Sequence, residues 1–243
     1  MIEKTRVETI QMLPFGMLNA FLLINQSNAV LVDTGLPNSE KQVEKVLRGN
    51  GLDWSNIRSI VLTHAHIDHA GSAARLRELT GAPIIAHEGD LPQLQGARPL
   101  LRPTGAFGRL FHKTGAIQKP FPYFLPDVVL STGMFDLTDV GIPARILHTP
   151  GHTQGSISVL LDDGKVIAGD LAASGVLLGG LILRSRPKQP PFEEIPLQVA
   201  KSLKHLLSQS CTRFYLGHGG PLGAGQIRKH AEFLATTGAR PTS

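Results

Sequence analysis

Cysteine is almost missing from this chain: Cys211 is the single one in 243 residues. One thiol closes no internal disulfide and builds no thiolate cage, so disulfide scaffolds and cysteine-type zinc fingers are excluded, and any metal must sit on nitrogen and oxygen. Long apolar runs are missing too. The longest, over 171–183, is interrupted by glycines and falls short of the roughly 20 residues that a membrane span needs. The first eight residues carry acids and no apolar stretch, unlike a signal peptide, so the expectation is a soluble, cytoplasmic protein with no membrane partner. A dense basic run is also lacking. Lys and Arg exceed Asp and Glu by 24 to 19, a net charge of +5, but charged residues make up only 18% of the chain, and no nucleic-acid partner is expected. What is abundant is apolar residue, 42% of the total, enough to bury a core in one substantial domain or two small ones.

Hydrophobic patterning divides the chain into short strands and helices. Residues 17–24 and 29–33 read as strands joined by the polar stretch Asn25-Gln26-Ser27-Asn28, which suits a hairpin. Asn38 or Ser39 is placed to cap a helix through Arg48, with Val43, Val46 and Leu47 on one face. Strands are expected at 57–62, 83–86, 144–147 and 213–216, with a hairpin 156–161/165–168 across Asp162-Asp163-Gly164. Helices are expected at 70–80, 196–208 and 226–235. Residues 88–135 hold six of the 17 prolines and show little periodicity. They read as an insertion in a single domain spanning 1–243, forming part of a substrate pocket.

Ten histidines are present, and their placement carries the chemistry. Thr63-His64-Ala65-His66-Ile67-Asp68-His69 puts four potential ligands directly after a strand. If that segment turns into a helix, His64 and His66 point to one side while Asp68 and His69 point to another, so one loop can feed two cations. Three later positions complete two coordination shells: His152 in Pro150-Gly151-His152-Thr153, Asp170 after Ala168-Gly169, and His218 in Gly217-His218-Gly219. Each follows an apolar strand, and the adjacent glycines let the backbone bend sharply there.

These ordered motifs resemble those of the metallo-β-lactamase-fold hydrolase superfamily, from Leu31-Val32-Asp33-Thr34-Gly35 to Gly217-His218-Gly219. The resemblance implies an α+β fold, a four-layer αββα sandwich with metals at one edge. It implies that His64, His66 and His152 bind a first metal, that Asp68, His69 and His218 bind a second, and that Asp170 bridges them. Asp33 matches the acid that orients a ligand histidine. Two Zn²⁺ are the expected cofactors, with Fe, Mn or Co as alternatives on the same donors. His66 stands where the di-iron flavoprotein branch usually has glutamate.

The implied activity is a dinuclear zinc-dependent hydrolase of a small-molecule ester, lactone or thioester, in which a metal-bridging hydroxide attacks and Asp68 and Asp170 are the catalytic carboxylates. Alternatives on this ligand set are β-lactam hydrolysis, a phosphodiesterase or nuclease, and an iron-dependent sulfur dioxygenase. Ala65 departs from glyoxalase II, which typically has a second histidine at that place. The lactonases commonly place a tyrosine soon after the bridging aspartate, whereas Leu171-Ala172-Ala173-Ser174 follows here, and Tyr123 and Tyr215 are the available tyrosines. Phe107, Phe111, Tyr123, Phe124 and Leu171 are the candidate substrate contacts, with a homodimer contact as the other use of the 88–135 aromatics.

Overall fold

In a computed structural model, described for residues 4–176, 179 and 182–237, two six-stranded sheets face each other. The first contains β1 (Arg6–Leu13), β2 (Leu18–Asn25), β3 (Asn28–Val32), β4 (Ile57–Val61), β5 (Ile84–His87) and β6 (Val128–Leu130) in that spatial order. Its outer face carries α1 (Glu40–Gly49), α2 (Ile67–Ala70) and α3 (Ala73–Thr80), and beyond β5 lie α4 (Leu91–Leu94) and α5 (Gly105–His112). The second sheet is built from β7 (Met134–Asp136), β8 (Ala144–His148), β9 (Ile157–Leu161) and β10 (Lys165–Ile167). A two-stranded ribbon of β11 (Ala173–Ser174) and β12 (Pro187–Lys188) follows. After α6 (Pro196–Ser208), β13 (Arg213–Tyr215) and β14 (Leu222–Gly223) complete the second sheet in the order β14-β13-β10-β9-β8-β7, and α7 (Ala224–Thr237) ends the described chain.

The period of two along the central strands explains the layers. On β2 and β3, Leu22, Ile24, Ala29 and Leu31 face α1 and α3, where Val43, Leu47 and Leu76 meet them. The alternate residues Phe21, Leu23, Val30 and Val32 face the other way, against Ile146, Val159 and Ile167 of the second sheet. Leu160, Val166 and Phe214 pack on the far side of that sheet against Val199, Leu203, Ile227 and Leu234 of α6 and α7. Both faces of each sheet are covered, so the strands read as continuous apolar runs rather than alternating ones. The αββα sandwich is as expected.

Particular segments differ from their sequence reading. The β2–β3 hairpin turns on two residues, Gln26 and Ser27, because Asn25 and Asn28 already pair across it; Gln26 supplies the positive φ that a tight hairpin demands. The stretch 88–135 is not wholly an addition to the sandwich: Val128–Leu130 pairs in parallel with β5, and Met134–Asp136 pairs with β8. Part of the long apolar run over 171–183, residues 177, 178, 180 and 181, lies outside the described residues.

The sheet directions decide where chemistry gathers. β3 and β4 run parallel, as do β10 and β13, and β8 shares the direction of β10 because β9 is antiparallel to both. The carboxyl ends of these five strands therefore open at one edge of the sandwich, followed by Asp33, His64, Asp170, His218 and His152 respectively.

Candidate metal centre

At that edge the seven candidate ligands come together. His152 Nε2 lies 3.2 Å from His64 Nε2 and 3.1 Å from His66 Nδ1. Three imidazoles held about 2.0–2.1 Å from one tetrahedral cation would have nitrogens roughly 3.3 Å apart, so this spacing fits a shared metal. His69 Nε2 and His218 Nε2 stand 4.0 Å and 3.4 Å from Asp68 Oδ2. Asp170 lies between the two groups: Oδ1 is 3.6 Å from His69 Nε2, and Oδ2 is 3.3 Å from His218 Nε2 and 3.8 Å from His152 Nε2. In each of the triads His64/His66/His152, His64/His69/Asp170 and Asp68/His69/His218, the donor atoms lie within 4.8 Å of one another. His69 Nε2 and Asp170 Oδ1 are buried without a hydrogen-bond partner, which a cation between them would remedy. The donor set and these orphaned atoms fit a metal pair.

In His64, His69 and His218 the other ring nitrogen is tied down, and this fixes which nitrogen faces the centre. Asp33 is buried; its Oδ1 accepts from the Thr63 amide, and its Oδ2 accepts from the Thr63 hydroxyl and from His69 Nδ1–H. Because the Thr63 hydroxyl donates to Asp33, its oxygen accepts from His64 Nδ1–H at 3.1 Å. His218 Nδ1–H donates to the Met17 carbonyl. His64, His69 and His218 thus all offer Nε2, as the hydroxyl, carboxylate and carbonyl partners on their second nitrogens dictate. Asp33 occupies the left-handed region at φ 63°, where a non-glycine residue is strained. Gly217 is required sterically, since a Cβ there would lie 2.3 Å from Asp170 Oδ1 and 2.5 Å from His69 Cε1.

Burial holds His64 well below the usual imidazole range and lowers His66 to about 4 and His152 to about 3. Their lone pairs are therefore free at neutral pH, as ligation requires. Burial acts in the same direction on His69 and His218, but there the carboxylates prevail. Asp170, Asp33 and Asp68 raise His69 to about 9, and Asp170 and Asp68 raise His218 well above its ordinary value. Burial would lift Asp68, but His69 and His218 bring it down to about 2.

Two positioning residues were not foreseen from the sequence. Asp90, buried beyond β5, accepts from Ala65 N and Thr153 Oγ1 at Oδ2 and from Gly155 N at Oδ1, each at 2.9 Å. It therefore joins the His64–His66 turn to the loop after His152. A Cβ on Gly155 would lie 2.5 Å from Asp90 Cγ, so the approach depends on glycine. Asn19 of β2 donates through Nδ2 to Leu216 O and Gly219 O, both at 3.1 Å, and holds the His218 turn. Nothing local marks either residue, because their partners are distant in sequence.

The proposed substrate contacts divide. Phe124, 7% exposed, and Leu171, 1% exposed, belong to the two outer cores, so this corrects their expected place on an open wall: sandwich packing takes up both side chains. Tyr123 is exposed and packs on Phe121. Phe107 and Phe111 stack 5.9 Å apart, and Phe111 continues onto Phe192. Tyr215 sits against Phe21 between the sheets, away from the ligands.

The segment after Phe192 braces the His152 loop: Glu194 N donates to His152 O and Ile195 N to Gly151 O. Beside it, burial raises the Glu193 carboxyl to about 7, against a lowering hydrogen bond from Gln189, and Oε1 has no partner. The folded state then keeps this proton after the unfolded chain has lost it near pH 4.5. Stability is expected to fall by about 3 kcal/mol between roughly pH 4.5 and 7 from this group. Thermal melts of Glu193→Gln at pH 5 and pH 8 should differ less than those of the parent; an unchanged difference would place the burden elsewhere.

Comparison with known proteins gives one family. The model of the Metallo-beta-lactamase superfamily matches residues 13–218. The probable metallo-hydrolase YflN of Bacillus subtilis is 27% identical over 220 residues, covering 85% of this chain and 81% of its own. The hydroxyacylglutathione hydrolase GloC of Haemophilus influenzae is 28% identical over 238 residues, covering 94% and 97%. Among solved structures, a metallo-beta-lactamase family protein from Thermus thermophilus superposes with a TM-score of 0.65 at 24% identity, covering 96% of this chain and 78% of that one.

Proposed function

The chain belongs to the metallo-beta-lactamase superfamily, and from that membership and its paired ligand clusters we propose a dinuclear zinc hydrolase that cleaves an ester, lactone or thioester. One observation carries the reading: the Asp170 carboxylate has oxygens within 3.8 Å of imidazole nitrogens from both clusters. Two zinc ions bound there would supply Lewis acidity for the substrate carbonyl and a nucleophilic hydroxide near neutral pH.

The chain's own residues supply the rest. His64, His66 and His152 stay neutral and present three converging lone pairs. Asp68 is the most open of the site carboxylates, its side chain 15% exposed, and is placed to orient an attacking water by accepting its hydrogen bond. Asp33 and Asp90 prevent the histidine loops from drifting, which keeps the reacting atoms at fixed separation. The similarity to GloC supports the thioester arm; YflN supports metal-dependent hydrolysis in general.

The test joins metal analysis with a hydrolysis panel of acyl-glutathione thioesters, lactones of several chain lengths, a β-lactam and a phosphodiester. About two zinc ions per chain with turnover of a thioester, lactone or ester is the expected result. Turnover confined to the phosphodiester, or one iron with oxygen consumption, would overturn it. His64→Ala should abolish turnover of whichever substrate responds.

A further inference from the structure

α5, α7 and the stretch 185–191 border an open cavity of about 740 Å³. That volume lies within the roughly 300–1,000 Å³ of small-molecule sites. None of the seven candidate ligands lines it. Its walls include Phe107, Phe233 and the buried His230, and three cationic residues, Arg186, Lys188 and Lys229, open onto it. No aspartate or glutamate is among the lining residues. Among the described residues, none of the three cations has a carboxylate partner within 4.0 Å.

Arg186 and Lys229 are exposed and keep their water, so the cost of an unmatched charge falls on Lys188. Lys188 is partly buried in β12, and the loss of water lowers its ammonium pKa with no counter-charge to offset it. His230 is 3% exposed and its Nε2 has no hydrogen-bond partner. Meanwhile Phe107 and Phe233, 39% and 52% exposed, leave aromatic surface open in a concave place. A second cavity of about 370 Å³ shares Phe107, Arg186 and Lys188 with the first and continues along Val176 and Leu183. The charged pair thus stands in a common wall, with apolar surface on either side.

We propose that this cavity binds an amphipathic organic anion, its carboxylate or phosphate head held by Arg186, Lys188 and Lys229 and its apolar body lying against Phe107 and Phe233. Concavity favours a small molecule over an extended polyanion, which needs an open stripe of charge. None of its lining residues is a candidate metal ligand, and the proposal does not depend on which bond the metal centre cleaves.

Calorimetric titration of the metal-loaded protein with octanoate, octyl phosphate, 1-octanol and inorganic phosphate tests this. One or both octyl anions should bind one-to-one, at least about ten-fold tighter than 1-octanol or inorganic phosphate. The better of the two identifies the head group. In the double variant Arg186→Glu/Lys229→Glu, both changes being at exposed positions, affinity should fall at least about ten-fold, and Phe233→Ala should weaken octyl anions while leaving inorganic phosphate unaffected. Capture of the anion by the metal ions would survive the double charge reversal, so undiminished binding there overturns the proposal. Equal affinity for octanol and octanoate, or for inorganic and octyl phosphate, overturns it as well.

Discussion

Asp170→Asn is expected to reduce turnover by on the order of 10³-fold and to lower bound zinc by about half, while the sandwich remains folded. The side chain is 4% exposed and stands among three imidazoles, with oxygens 3.3 Å from His218 Nε2, 3.6 Å from His69 Nε2 and 3.8 Å from His152 Nε2. Burial disfavours its charge, but His218 and His69 outweigh that and hold the carboxyl far below its ordinary range. It is therefore an anion at neutral pH. An amide has the same shape but only one acceptor oxygen, and its NH₂ would face a ring nitrogen whose lone pair is meant for a cation. One cluster loses its shared anionic donor, whichever way the amide turns. Metal analysis and circular dichroism of the purified variant separate this from unfolding. A variant with full zinc and parental turnover would show that the two clusters do not depend on a common carboxylate.

The centre was legible in the sequence because four of its donors are packed into residues 64–69 and each of the others directly follows an apolar strand. Strand-end placement can be read from hydrophobic runs and glycines; parallel direction of the strands then brings the ends together. Helix α6 was legible for a similar local reason, a proline start and an amphipathic face. What escaped the sequence reading depends on partners remote along the chain. Val128–Leu130 and Met134–Asp136 are strands of only three residues, stabilised by ladders to β5 and β8 rather than by local pattern. Phe124 looked like a pocket residue beside Tyr123, yet it faces the α-helical side of the first sheet. Nothing local marks Asp90, since Ala65 and Gly155 lie 25 and 65 residues away.

For that reason Asp90 offers a demanding test of how far the centre depends on residues that touch no metal. Asp90→Asn should weaken zinc binding by about 10–100-fold, the effect usual for residues that orient metal ligands. Both carboxylate oxygens are committed: Oδ2 accepts from Ala65 N and Thr153 Oγ1, and Oδ1 from Gly155 N. Asparagine can satisfy Oδ2's two donors only by setting its NH₂ against the Gly155 amide. Turned around, it sets the NH₂ against Ala65 N, between His64 and His66. In either pose two donors oppose each other in a buried place, and one of the two histidine loops must move. The ligands positioned by these bonds would then lose their common focus. Competition with a chromogenic chelator reads the change in zinc affinity, and turnover should recover when zinc is supplied in excess. Merely lowered folding stability would instead shift the melting temperature and leave zinc affinity of the folded variant unaltered. That second pattern would reduce Asp90 from a positioning residue to a structural one, and the His64–His66 turn would have to hold its own geometry.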